Sequence, residues 1–105
     1  MIKVTFFGTD PIRGFHITGH SDMNPDGPEI ICAAVSSAAY MTANTVTDVI
    51  GLNPVLSVSD GDMYLKVKTD SEALKCREIF EGLKLHLSSL TEQYPKYILL
   101  TNTEV

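Results

Sequence analysis

Side chains able to attack a carbonyl or move a proton at neutral pH are scarce in this chain. Cysteine occurs twice, at Cys32 and Cys76, and histidine three times, at His16, His20 and His86. One stretch, Gly19 to Ser37, holds one of each: G-H-S-D-M-N-P-D-G-P-E-I-I-C-A-A-V-S-S. A free thiol is only a few per cent thiolate at neutral pH, and a helix start with an imidazole beside it is a general way to make it a nucleophile. The residues between His20 and Glu29 are rich in Asp, Asn, Pro and Gly and read as loop. The apolar run from Ile30 onward reads as helix. On residue type and placement alone, burial competes with catalysis at Cys32, because Ile30, Ile31 and Val35 flank it and free cysteine is among the most buried residue types. Cys76 falls on an apolar helical stripe and reads as a small core residue.

The histidines divide by position. His86 lies off the stripe of its helix and reads as solvated. His16 and His20 share one face of a predicted strand, with His20 at its C-terminal end beside the loop. Its plain reading is a strand-end residue bonded to turn backbone; the functional reading needs its imidazole to reach Cys32 once the loop folds back. The loop also opens like a calcium site, Asp22-Met23-Asn24-Pro25-Asp26-Gly27, or D-x-N-x-D-G. The twelfth position, which must supply a bidentate acid, is Ala33, and Pro28 and Ile30 occupy later ligand positions, so an EF-hand is not expected. Zinc lacks companion ligands and a C-x-x-C pair. There is no phosphate-cradling glycine loop and no G-x-S-x-G elbow. No metal and no cofactor are expected.

The elements that must position these residues follow from periodicity. Ile2, Val4 and Phe6 alternate with Lys3, Thr5 and Phe7, giving a first strand closed by the turn Gly8-Thr9-Asp10-Pro11. Phe15 and Ile17 form the inward face of a second strand. Asp26 or Gly27 caps a helix over Ile30 to Ile50, stopped by Gly51. Its first half is apolar nearly all round, which predicts burial on more than one side, the extra side against another subunit or a ligand. Val55 to Ser59 and Met63 to Lys68 read as strands joined by Asp60-Gly61. Asp70 or Ser71 then caps a helix whose stripe is Ala73, Cys76, Phe80, Leu83, Leu87, Leu90 and Tyr94, ended by Pro95. Lys96 to Thr101 makes a last strand. The order β-β-α-β-β-α-β predicts one two-layer α+β domain over residues 1–105, with two helices on one face of a mainly antiparallel or mixed sheet.

Composition narrows the class of protein. The chain has 105 residues, 44% hydrophobic and 20% charged, which is enough to bury one core. A net charge of −5 argues against nucleic acid as direct partner. No apolar run is expected to reach the ~20 residues of a membrane span, and the first residues lack the layout of a signal peptide. Two cysteines without framework spacing predict a reducing compartment and hence a cytoplasmic location.

At Gly19-His20 and at Ile30-Ile31-Cys32-Ala33-Ala34-Val35-Ser36-Ser37 the sequence resembles the ribosomal-processing cysteine protease family, Prp. The likeness covers the whole chain in length, element order and the placing of the paired motifs. It implies a small bacterial cytoplasmic endopeptidase with a cysteine–histidine dyad. The implied substrate is the N-terminal extension of the precursor of large-subunit ribosomal protein number twenty-seven, removed during ribosome maturation. Carried over position by position, Cys32 is the nucleophile and His20 its base. Gly19, Asp22, Glu29, Ala33 and Ser36 are then substrate-binding or orienting residues. Ser36 lies one helical turn beyond Cys32, N–H groups around Cys32 and Ala33 are expected oxyanion donors, and Asp22 and Glu29 are candidates for a third, orienting member. Glu29 stands where the family commonly carries aspartate, which keeps the charge and lengthens the reach. Pro25 and Pro28 stiffen the loop from Ser21 to Pro28, which reads as a gate. A basic ribosomal substrate suits an acidic protein through steering. A homodimer is expected from the apolar first helix and from the family. The rival reading is a non-catalytic ribosome-associated protein that binds through the same loop surface.

Overall fold

The computed structural model describes residues 1–19 and 29–104, with Glu29 described only in its backbone. The caps expected at Asp26 or Gly27 and the loop from Ser21 to Pro28 lie outside the described residues. Five strands form: β1 (Ile2–Phe7), β2 (Gly14–Thr18), β3 (Val55–Ser59), β4 (Asp62–Lys66) and β5 (Ile98–Thr103). They make one sheet in the order β3-β4-β2-β1-β5, antiparallel throughout except for the parallel pair β1 and β5. The alternation read from the sequence sets the faces. Ile2, Val4, Phe6, Phe15, Ile17, Met63, Leu65 and Ile98 are buried on one side. Thr5, Phe7, His16, Tyr64 and Lys66 lie on the other, where registers Thr5↔His16 and His16↔Tyr64 set them side by side.

The helices are α1 (Glu29–Asn44), α2 (Asp70–Lys75) and α3 (Arg77–Gln93). They cover the buried face of the sheet. Ile31, Val35, Ala39 and Ala43 of α1 and Phe80, Leu83 and Leu87 of α3 join the strands in one core. Phe15 stands edge-on to Phe80, with centroids 6.3 Å apart, and against Phe6 at 6.5 Å. This aromatic cluster ties the middle of the sheet to α3, worth about 1 kcal/mol per ring pair beyond the area buried.

Four differences from the sequence reading have local causes. The first helix does not run uniformly to Ile50; after Asn44 it continues as a wide turn of π-helix over Thr45–Val49, with the Ile50 N–H donating to the Thr45 carbonyl at 2.8 Å. Thr42, Thr45 and Thr47 each donate a hydroxyl hydrogen bond to the carbonyl four residues back, at 2.9, 2.8 and 3.1 Å. Such back-bonding competes with the helical ladder and loosens it. The second helix breaks in two at Cys76, whose φ and ψ of −100° and 7° leave the helical region. Its cap is Thr69 rather than Asp70 or Ser71: the Thr69 hydroxyl accepts from the Glu72 N–H at 3.1 Å, while the Glu72 carboxylate accepts from the Lys68 N–H at 2.9 Å. That reciprocal pattern resembles a capping box shifted by one donor. The last strand starts two residues later than Lys96, because Tyr97 N–H closes a turn onto the Tyr94 carbonyl at 3.0 Å.

A further correction concerns length and polarity. Over Ile30–Val49 the helix is, by length and composition alone, long and apolar enough to cross a membrane. No such run was expected from the sequence. Its apolar character has a use within the fold, since Ile31, Val35, Ala39, Ala43 and Val46 supply one wall of the core.

Candidate active site

Cys32 sits in the first turns of α1, a free thiol only partly buried, packed against the core at its edge. Its neighbours on either side along the buried stripe, Ile31 and Val35, are 2% and 1% exposed. They anchor the backbone that carries the thiol. Ser36, four residues on and partly buried, shares the Cys32 flank of the helix, as expected. Ala33 is exposed.

The position of the helix start decides which N–H groups near Cys32 lack an intrahelical partner. With α1 beginning at Glu29, the Ala33 N–H lies four residues on and belongs to the helical ladder toward the Glu29 carbonyl. The N–H groups left without an intrahelical partner are those of the first turn, at Glu29, Ile30 and Ile31. Side chains in a helix tilt toward its N-terminus, so the Cys32 thiol leans toward that turn.

Gly19, on the sequence reading a substrate-binding or orienting residue, has a backbone reason for being glycine. It follows the end of β2 with φ +78°, and a Cβ there would collide with the Met1 carbonyl oxygen. Its N–H donates to the Gly61 carbonyl in the β3–β4 turn at 2.9 Å. The chain therefore leaves β2 in a direction that a residue with a side chain adopts only under strain. His20 and Asp22 follow immediately and lie outside the described residues, as does the side chain of Glu29.

The other two histidines and the other cysteine fall where the sequence placed them. His86 is exposed on α3. His16 is on the open face of the sheet, its Nε2 3.1 Å from Asp62 Oδ1 and its ring edge-on to Tyr64. Cys76 is fully buried at the α2–α3 break. Burial pushes its thiol pKa above the ordinary 9.0, and the nearby Glu72 carboxylate adds to the rise. It is a core thiol and a poor nucleophile. Among the described residues no cluster of three His, Cys, Asp or Glu side chains is placed to hold a metal.

One feature went unseen in the sequence. Beside the first turn of α1, an apolar cavity of about 220 Å³ opens between Ile30, Ile31 and Ala34 and the end of α3, at Leu90, Gln93 and Tyr94. Ile30 is 75% exposed at its mouth. The signal in the sequence was that the α3 stripe runs on through Leu90 to Tyr94, both of which line the cavity.

Comparison with known proteins bears on the fold and the family. The family model described as "Cysteine protease Prp" matches residues 1–99. The ribosomal processing cysteine protease Prp of Bacillus subtilis is 25% identical over 95 residues, spanning 86% of this chain and 85% of that one. Among solved structures, Prp from Staphylococcus aureus in complex with a substrate peptide superposes with a TM-score of 0.86 at 20% identity, covering 98% of this chain and all of that one. A Streptococcus mutans protein gives a TM-score of 0.86 at 23% identity, covering 100% and 96%. The fold is thus that of the Prp structures, and the chain belongs to the cysteine protease Prp family, as a peptide-bond hydrolase that works through a thiol.

Proposed function

We propose that this protein is the endopeptidase that removes the N-terminal extension from the precursor of large-subunit ribosomal protein number twenty-seven, with Cys32 as nucleophile and His20 as its base. The observation that carries the reading is the contrast between the two thiols. Cys76 is sealed in the core, whereas Cys32 is partly exposed at a helix start, at the far end of the segment that leaves β2 through Gly19. The B. subtilis relative's name, a ribosomal processing protease, supports the substrate class.

In the acylation step, His20 takes the thiol proton as sulfur attacks the scissile carbonyl. The C–S bond forms, the C–N bond breaks, and His20 returns the proton to the leaving amine. The oxyanion that develops is met by N–H groups of the first turn of α1, which the helix leaves unpaired. Water then attacks the thioester with His20 as base, freeing the acid and restoring the thiol. Ser36 on the Cys32 flank is within reach to bond to substrate, and Asp22 and Glu29 are the acids available to orient His20.

We also infer a cytoplasmic homodimer. Tyr40 and Met41, 48% and 55% exposed on the outer face of α1, are large apolar groups of the kind a second copy covers. The direct experiment is incubation with the precursor followed by intact-mass measurement. Wild type should release the extension, and Cys32→Ala and Cys32→Ser should not, with unchanged circular dichroism. Full cleavage by either variant would sink the dyad. Sedimentation as monomer at micromolar concentration contradicts the dimer, and Met41→Glu should convert a dimer to monomer.

A further inference from the structure

We propose that His16 and Asp62, on the open face of the sheet, are positioning residues of the protease. Their side-chain pair holds the β3–β4 turn against the end of β2, and that turn fixes the point from which the chain leads on to His20. The inference rests on His20 being the base, as proposed above, and adds what holds the anchor of that base in place. Three observations carry it.

The first is the route from the pair to the anchor. The pairing of β2 with β4 ends at Thr18↔Asp62. The ladder then goes one step further, where the Gly19 N–H donates to the Gly61 carbonyl at 2.9 Å. Gly61 directly precedes Asp62, so whatever places Asp62 places that acceptor. On its other side Gly19 lies close against the Met1 carbonyl. A shift of the turn is therefore passed to Gly19, whose positive φ sets the direction in which the chain leaves β2.

The second is that the turn needs a tie. β3 lies at the edge of the sheet and pairs with β4 alone. All five of its residues are exposed and none joins the core, so the hairpin is carried by β2 through β4. His16 Nε2 stands 3.1 Å from Asp62 Oδ1. The contact runs diagonally across the strands, since His16 is opposite Tyr64 and Asp62 is opposite Thr18. A carboxylate only accepts, so the imidazole N–H donates. The His16 ring is itself held edge-on to Tyr64 at 5.4 Å, and Tyr64 packs against Phe7 at 5.4 Å. The tie thus starts in the middle of the sheet and ends at the turn.

The third is that the pair has little other work. Its side chains are 34% and 43% exposed, and a pair so open to water adds little to stability. Both residues lie on the face of the sheet away from the core, whereas Cys32 packs against the core. Their effect on the reaction therefore passes through β2 and not through contact with sulfur.

The test combines precursor cleavage by the full chain, Cys32 alkylation and thermal melts. His16→Ala and Asp62→Ala should each lower kcat by about 10- to 100-fold, the scale for misplacing a catalytic group by about 1 Å, with KM unchanged. Tm should fall by less than about 8 °C, as for the loss of a half-exposed pair. The double variant should be no slower than the slower single one, because both remove the same bond. His16→Gln and Asp62→Asn, which keep an N–H donor and an oxygen acceptor, should restore most of kcat. Cys32 alkylation should slow in the alanine variants as it does in His20→Ala. Thr101→Val, which breaks the Thr5–Thr101 hydroxyl contact at 3.2 Å on the same face, should cut as wild type does. His16→Asn, whose amide nitrogen stands nearer Nδ1 than Nε2, is the disrupting variant if the alanine ones do not fold. Wild-type kcat in the disrupted variants, with His20→Ala inactive, overturns the positioning role and leaves the dyad standing. A loss of kcat that neither Gln nor Asn restores overturns it too, since the bond is then not what matters. If His20→Ala cuts the precursor as fast as wild type, the dyad reading falls and this inference with it.

Discussion

Alkylation of the folded protein at pH 7 separates its two thiols by their place in the fold. Cys76 is 0% exposed and Cys32 only partly buried. Iodoacetamide reaches Cys76 only when the α2–α3 break opens, and that break lies in the same core as Phe80 and Leu87. Opening such a core costs about as much as global unfolding, about 5 kcal/mol at the low end for a domain of this kind. The open fraction is then about one in several thousand, and labelling of Cys76 slows by roughly 10³- to 10⁴-fold relative to an unfolded chain. The raised pKa of Cys76 acts in the same direction, because less of it is thiolate at a given pH. Cys32 needs no such opening. The assay is quenched labelling with peptide mapping by mass spectrometry, calibrated in guanidinium, where the two cysteines should react at similar rates. If Cys76 in the native protein is labelled within about tenfold of Cys32, the assignment of one core thiol and one working thiol fails. If Cys32 is as protected as Cys76, the attack geometry fails with it. His20→Ala should slow Cys32 alone.

Other expectations follow from packing and capping. Thr69→Ala removes the hydroxyl that accepts from the Glu72 N–H and should cost about 1 kcal/mol, lowering Tm by roughly 4–8 °C; Thr69→Ser should be nearly neutral in the same melt. Phe80→Ala empties the centre of the aromatic cluster and should cost about 3–5 kcal/mol, read as a shift in urea midpoint at unchanged slope. Stability should fall as pH rises through 9.0, because the folded state holds the Cys76 proton that the unfolded chain gives up. Urea midpoints at pH 8 and pH 10 should show a smaller drop for Cys76→Ala than for wild type, and equal drops would refute the linkage.

Much of the fold was legible where one residue's periodicity decides its side. Ile2, Val4 and Phe6, then Phe15 and Ile17, alternate as half-buried strands must, and all five are buried. Asp60-Gly61 marked a hairpin, and Gly61 takes φ +72° there. What periodicity does not carry is partner choice. Nothing within Ile98–Thr103 states that it runs parallel to β1 rather than antiparallel to a neighbour, because that depends on where α3 deposits the chain. The break at Cys76 was hidden for a related reason. Its residues keep helical spacing through Ala73, Cys76 and Phe80, so the stripe continues although the backbone does not. The two cysteines were separable because a stripe is visible in one sequence segment. The cavity was not, because its walls come from residues about sixty positions apart and exist only once α1 and α3 pack. Which N–H groups lack an intrahelical partner was hidden for the same reason, because that depends on the first residue of the helix, here Glu29.

The site is divided between two kinds of support. The thiol is fixed from below, since Ile31 and Val35 hold its turn of helix in the core and any change in that packing shifts sulfur directly. The proposed base depends instead on how the chain leaves β2. Gly19 sets that direction with a positive φ and a close approach to the Met1 carbonyl, and the register Lys3↔Thr18 keeps the end of β2 beside the start of β1. A substitution at Val35 should therefore trade stability against the position of the proposed nucleophile. One at Gly19 should displace His20 while leaving Cys32 where the core puts it. Alkylation and cleavage then respond separately: the first reports the thiol and its neighbour, the second the full assembly. The proposed nucleophile is thus placed by the core, and the proposed base by the way the chain leaves β2 at Gly19.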